Sequence, residues 1–194
     1  MTNPSPQDRG DTHVVVCVGG SIAAYKACDL VSKLVQRGHV VDVVMSSAAE
    51  RFVRPLSFAA LTHRAVFTND AWFEGAGGAR SPADHLHATE QAAAVVVAPC
   101  TANLLGKFAH GLADEIVSTT VLGAPCPILL APAMNFRMWE NKRVQANVRT
   151  LRDDGFHFVG PEDGYLAEAE TGVGRMSEPA DIVAALGKLL GGSS

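Results

Sequence analysis

Four short apolar runs recur along the chain, at 14–18 (Val-Val-Val-Cys-Val), 40–45, 93–98 and 127–131, with a weaker copy at 156–159. Each has the length of a strand rather than a helix, and each full copy leads into a loop and a helix-compatible stretch. A strand that is apolar along its whole length must be covered on both faces, as in a parallel sheet between two helical layers. The first unit shows the pattern most clearly. After Gly19-Gly20-Ser21, residues Ile22, Tyr25, Leu30, Val31, Leu34 and Val35 keep helical spacing, and Gly38 stands where a left-handed helix cap is expected. The expected fold is α/β: a Rossmann-like (flavodoxin-like), doubly wound parallel sheet of five or six strands in three αβα layers. A ligand would sit beyond the carboxyl ends of the strands.

Size and composition narrow the partners. With 194 residues, 47% of them apolar, the chain can bury one full core, and a single domain is expected over 13–190. The ends, 1–12 and 191–194, are expected to be disordered. A net charge of -4 with signs interspersed leaves no basic stripe for nucleic acid, and no apolar run is long enough to span a bilayer. The four cysteines are scattered, without metal-ligand spacing and too few for a disulfide framework, so a reduced, cytoplasmic setting without a metal is expected. Two segments, 69–84 and 160–178, break the strand–helix alternation and read as lids, binding loops or interface arms.

Several motifs fall at the expected ligand edge. Gly19-Gly20-Ser21 closes a strand and opens a helix, which either gathers N–H groups around a phosphate or leaves Ser21 as a helix cap. It lacks the later glycine of a dinucleotide fingerprint. Ser46 and Ser47 end the second strand on the same edge. Thr101, Ala102 and Asn103 follow the third strand; small residues there admit a planar ring, and Thr101 or Asn103 equally suits a helix cap. Lys107 on the next helix is expected to face solvent. His85 and His87, one residue apart, cannot share a helix face, so at most one enters a site. The other histidines, His13 among them, read as structural. The least ordinary stretch is 132–139, Pro-Ala-Met-Asn-Phe-Arg-Met-Trp, where Met138 and Trp139 suit either a ligand or the core. Asn135 there can donate to a carboxylate without adding a charge that resists its loss.

Together these motifs resemble the homo-oligomeric, flavin-containing cysteine decarboxylases. The resemblance rests on Pro-x-Met-Asn-x-x-Met-Trp at 132–139, following Gly-Ser-Ile-Ala-Ala-Tyr-Lys at 20–26, a histidine at 85 and Pro-Cys-Thr-Ala-Asn at 99–103. It implies that Gly20, Ser21, Ile22, Ser46, Thr101, Ala102, Asn103 and Ala133 hold the flavin, FMN or alternatively FAD, with its phosphate at the first turn. It implies His85 as acid or base, Asn135 on the substrate carboxylate, and substrate contacts from Met134, Met138, Glu168 and Arg175. The family reaction oxidises the cysteine side chain to a thioaldehyde, which serves as electron sink for loss of the carboxylate and leaves an ene-thiol. The assemblies are trimers or dodecamers with the flavin at a subunit interface.

One departure concerns the branch. In the coenzyme A branch a cysteine precedes Gly-x-Gly-Arg-Met and protonates the ene-thiol; here Glu168 stands in its place. The resemblance therefore points first to a peptidyl-cysteine decarboxylase of modified-peptide biosynthesis, whose product stays an aminoenethiol. The alternative is phosphopantothenoylcysteine decarboxylase. A non-catalytic flavin-binding regulatory subunit is the alternative from another class. Glu162, Asp163, Glu168 and Glu170 make the expected substrate clamp, 160–176, acidic, which would favour a basic or neutral peptide ending in cysteine over a phosphorylated small molecule.

Overall fold

A computed structural model describes residues 12–70, 89–165 and 171–191. Its order is β1 (His13–Val18), α1 (Ala24–Gln36), β2 (Val40–Met45), a 3-10 turn (Ala49–Arg51), α2 (Pro55–Thr62) and β3 (Ala94–Cys100). There follow α3 (Ala102–Ala109), α4 (Ile116–Gly123), β4 (Ile128–Pro132), the short α5 (Phe136–Trp139), α6 (Lys142–Asp153), β5 (His157–Phe158), β6 (Glu162–Tyr165), β7 (Thr171–Arg175) and α7 (Pro179–Gly191). The proposed tails lie almost wholly outside the described residues.

The main sheet is parallel throughout, in the order β2-β1-β3-β4-β5. A parallel bridge from Val44 to Phe67 adds the trace of a sixth strand. Alternate strand residues serve two cores. Val14, Val16, Val41, Val43 and Val96 pack with α1, α2 and α7, while Val15, Cys17, Val95, Val97 and Leu130 pack with α3, α4 and α6. This division explains why the strands read as continuous apolar runs. Helix α1 ends as expected: Gly38 has φ 89°, its N–H donates to Val35 O, and His39 N–H donates to Leu34 O.

Two local expectations change, and a histidine expected to be structural gains its partner. Helix α1 begins at Ala24 and buries Ala24, Ala27, Leu30, Val31 and Leu34. Ile22 therefore lies in the preceding turn and Tyr25 falls off the buried stripe; they are 59% and 62% exposed. The segment 160–178 contains an antiparallel hairpin, β6–β7, rather than irregular loop alone. His13 is also partnered: its Nε2 lies 2.9 Å from the buried Asp42, which accepts two hydrogen bonds from Arg64. Those bonds raise the Arg64 pKa and tie β1, β2 and the chain after α2 together.

Candidate functional site

In this strand order the direction of winding reverses between β1 and β3, and a crevice opens beyond their carboxyl ends. One lobe, of about 340 Å³, is lined by Gly20, Ser21, Ser46, Thr101, Ala102, Asn103 and Ala133 together with Glu115 and Met138. A larger lobe, of about 530 Å³, is lined by Ile22, Tyr25, Lys26, Phe52, Asn135, Tyr165 and Arg175. Ser21, Ala133 and Met134 line both. Seven of the eight residues expected to hold flavin thus converge on the smaller lobe. The eighth, Ile22, is on the larger one.

The backbone reasons are local. A Cβ on Gly19 would collide with Pro99 O, and one on Gly20 with Ala48, so the glycines let the end of β1 pass between two neighbouring chain segments. Ser21 is not the helix cap; its Oγ accepts from Ala23 N at 3.3 Å in the turn before α1. Thr101 is the cap of α3, with Oγ1 accepting from Leu104 N at 3.3 Å. As acceptors, both hydroxyls keep their hydrogens for another group. Ser46 is more committed. It donates to Val18 O and accepts from Ala49 N, pinning the second strand to the first.

The segment after β4 is held in two ways. Asn135 caps α5, its Oδ1 accepting from Arg137 N at 2.9 Å, which leaves its NH2 as the donor. Met134 N donates to Gly174 O, and a Cβ on Gly174 would meet Met134 O. A Cβ on Gly172 would likewise press on the Phe136 side chain at 2.7 Å. The Gly-x-Gly of β7 is therefore what allows the hairpin to lie against 134–136. Met138 lines the smaller lobe, whereas Trp139 packs on the second core.

Charges cluster at two places around the crevice. Lys26 Nζ is 2.8 Å from Glu178 Oε1, and Arg175 reaches Glu178 at 3.8 Å and Glu162 at 3.0 Å. The expected repulsion from Glu162 is thus offset by Arg175. Lys107, expected to face solvent, is instead mostly buried and bridges Asp114 at 2.8 Å and Glu115 at 3.2 Å. Burial lowers its pKa, but the two carboxylate hydrogen bonds prevail and raise it; Asp114 is lowered in return by its bond to Lys107. Beneath the crevice, burial pushes the Cys17 and Cys100 thiols far above their ordinary range.

His85, His87, Glu168 and Glu170 lie outside the described residues. Sequence reasoning missed Lys26 and Glu178 as a pair, Glu115 on the smaller lobe, and the aromatic rim of Tyr25, Phe52 and Tyr165. For Lys26 a signal existed, since it closes the Gly-Ser-Ile-Ala-Ala-Tyr-Lys stretch that begins at the candidate phosphate turn.

Comparison with known proteins bears on this crevice. A family model described as Flavoprotein matches residues 2–191. The chain is 45% identical over 173 residues to the coenzyme A biosynthesis bifunctional protein CoaBC of Bacillus subtilis, covering 88% of this chain and 41% of that protein. It is 43% identical over 170 residues to the CoaBC of Mycobacterium tuberculosis, covering 87% and 39%. The chain therefore spans about two-fifths of the length of these curated relatives. Among solved structures, a PPC decarboxylase mutant complexed with pantothenoylaminoethenethiol superposes with a TM-score of 0.81 at 26% identity, covering 91% of this chain and 97% of that one. The FMN-dependent cysteine decarboxylase SpaF gives 0.71 at 30% identity, covering 90% and 97%. TvaF, from thioviridamide biosynthesis, gives 0.72 at 33% identity, covering 78% and 91%.

Proposed function

The chain belongs to the flavoprotein family, and from that premise we propose that it catalyses the flavin-dependent decarboxylation of a cysteine carboxylate. The smaller lobe fits a flavin. Its lining of Gly20, Ala102 and Ala133 admits a planar ring, and Ser21 and Thr101 retain hydroxyl hydrogens for phosphate or ring oxygens. These residues, with Ser46, Asn103 and Ile22, would hold FMN. When bound, the flavin supplies a two-electron oxidation of the cysteine side chain.

The chain's own residues do the rest. Asn135 carries the reading: its amide oxygen is engaged by Arg137 N, so its NH2 is left to donate to the substrate carboxylate. An amide stabilises that group while adding no net charge, so loss of carbon dioxide is not opposed by an ion pair. Met134 supplies apolar wall shared by both lobes, and Met138 adds to that of the smaller one. His85 is assigned the proton transfers. Exposed Ile22, Tyr25, Phe52 and Tyr165 around the larger lobe favour a homo-oligomer that closes the crevice against water.

For the substrate, the comparisons reverse the order set by the sequence motifs. The 45% identity to a coenzyme A biosynthesis protein favours phosphopantothenoylcysteine, and Lys26 and Arg175 on the larger lobe suit an anionic substrate. A second reading, peptidyl cysteine, is favoured by Glu168 in place of the proton-donating cysteine and by the likeness to SpaF and TvaF. The test is to incubate the FMN-loaded protein with phosphopantothenoylcysteine and with peptides ending in cysteine, following mass. Loss of carbon dioxide from the first supports the leading reading. Loss of carbon dioxide plus two hydrogens, from the peptides alone, supports the second. No decarboxylation of either defeats both.

A further inference from the structure

Glu115 is the only charged side chain on the wall of the smaller lobe among the described residues. It is 13% exposed, and Lys107, which does not line the lobe, approaches its Oε1 at 3.2 Å. The same Lys107 holds Asp114, which is 65% exposed. The three side chains sum to one negative charge, and the one that reaches the cavity is a carboxylate. Glu115 also caps α4, its side chain accepting from Ser118 N while Ser118 Oγ accepts from Glu115 N. Capping alone does not account for it, since serine, threonine or asparagine would cap the helix without a charge and without a lysine turned inward to meet it. The fold thus keeps a carboxylate and its counter-ion beside a cavity whose other walls are uncharged.

We propose that Glu115 lowers the reduction potential of the flavin held in the smaller lobe, and that Lys107 moderates this effect from behind the carboxylate. The proposal rests on the flavin reading of that lobe. In mildly alkaline buffer, reduction adds two electrons and one proton to a flavin, so the lobe gains one negative charge. A carboxylate in a partly buried wall opposes that gain, and a nearby ammonium favours it. The oxidised flavin is therefore favoured. Electrons taken from the cysteine side chain pass on more readily, to the decarboxylated product in the leading reading or to dioxygen in the second.

The test is the midpoint potential of the FMN-loaded protein, measured by equilibrium reduction against a reference dye in mildly alkaline buffer, with FMN affinity titrated alongside. Glu115→Gln keeps an acceptor for Ser118 N and is expected to raise the ratio of reduced to oxidised flavin about tenfold, a rise of about 30 mV for a two-electron couple. Lys107→Met should move the potential the opposite way, and Lys107→Arg should restore it. Asp114→Asn should act in the same direction as Glu115→Gln but less, because its charge is screened by solvent. A second tie, Ile116 N donating to Asn69 Oδ1 at 2.8 Å, holds the start of α4 in all these variants. The proposal is overturned if Glu115→Gln leaves the potential unchanged or lowers it, as when both redox states lose affinity alike. It is also overturned if Glu115→Gln and Lys107→Met move the potential in one direction, which a merely structural disturbance of α4 would do. Should Glu115→Gln fail to retain FMN, the opposed signs of Lys107→Met and Asp114→Asn decide the matter. A wild type that takes up no FMN ends the flavin reading and this proposal together; one that binds FMN and decarboxylates, with potentials that ignore these charges, keeps the reaction and loses only the tuning.

Discussion

At the scale of single residues, Asn135 has two separable duties, capping α5 and offering NH2 donors. Aspartate caps as well as asparagine but has no donor when ionised. Asn135→Asp is therefore expected to keep stability and flavin binding while lowering decarboxylation roughly 100-fold, the scale seen when a donor to developing charge is lost; unfolding curves and turnover measured side by side check it. The buried thiols of Cys17 and Cys100 give a second expectation. Their folded pKa values lie above the unfolded ones, so their contribution is fully present below the ordinary thiol pKa and is lost as pH rises beyond it. Above pH of about 8.5 the unfolding constant should rise by roughly tenfold per pH unit per thiol. Urea unfolding under reducing conditions should show a shallower alkaline loss in a Cys17→Ala/Cys100→Ala variant. Asn135 was legible in the sequence because its chemistry is unusual for its neighbours. The burial of Cys17 was legible too, since its run is apolar on both faces; that Cys17 and Cys100 share one core was not, since nothing local says that β1 and β3 are neighbours.

Among elements, the β6–β7 hairpin is the least anticipated. Its glycines looked like loop residues, yet Gly172 and Gly174 are required by contact with Phe136 and Met134. Gly174→Ala should push the hairpin off 134–136, reducing turnover by about tenfold or more while flavin absorbance persists, as loss of positioning predicts. Gly187 is the contrasting case, since it lies inside α7 and a Cβ there would meet nothing within 4 Å. Gly187→Ala is expected to stabilise the fold by up to about 1 kcal/mol with unchanged activity; denaturant midpoints decide this. Strands β1, β2, β3 and β4 were readable because short buried runs are a local signal. β6 and β7 carry no such run, and their pairing depends on what lies beneath them.

Across the whole molecule, the exposed rim at Ile22, Tyr25, Phe52 and Tyr165 suits association around the larger lobe. Tyr25→Asp, which places a charge on that rim, is expected to shift the protein toward monomer in sedimentation and to weaken flavin retention if the interface helps enclose it; a monomeric wild type would remove the basis for this. The strand order and its switch point came from the structure. The short buried runs alternating with helices nonetheless imply a doubly wound parallel sheet, so the sheet, its ligand edge and the motifs placed there could be reached from the amino-acid sequence. So could the family, because Pro-x-Met-Asn-x-x-Met-Trp is chemically specific within eight consecutive residues. Beyond strand order, what only the tertiary structure decided is which charges meet. Lys26 pairs with Glu178 across 152 positions, and Lys107 turns inward to Asp114 and Glu115. Crossover connections bring distant loops to one sheet edge, and the side chains that touch there are set by packing between elements, which no local pattern of residues records.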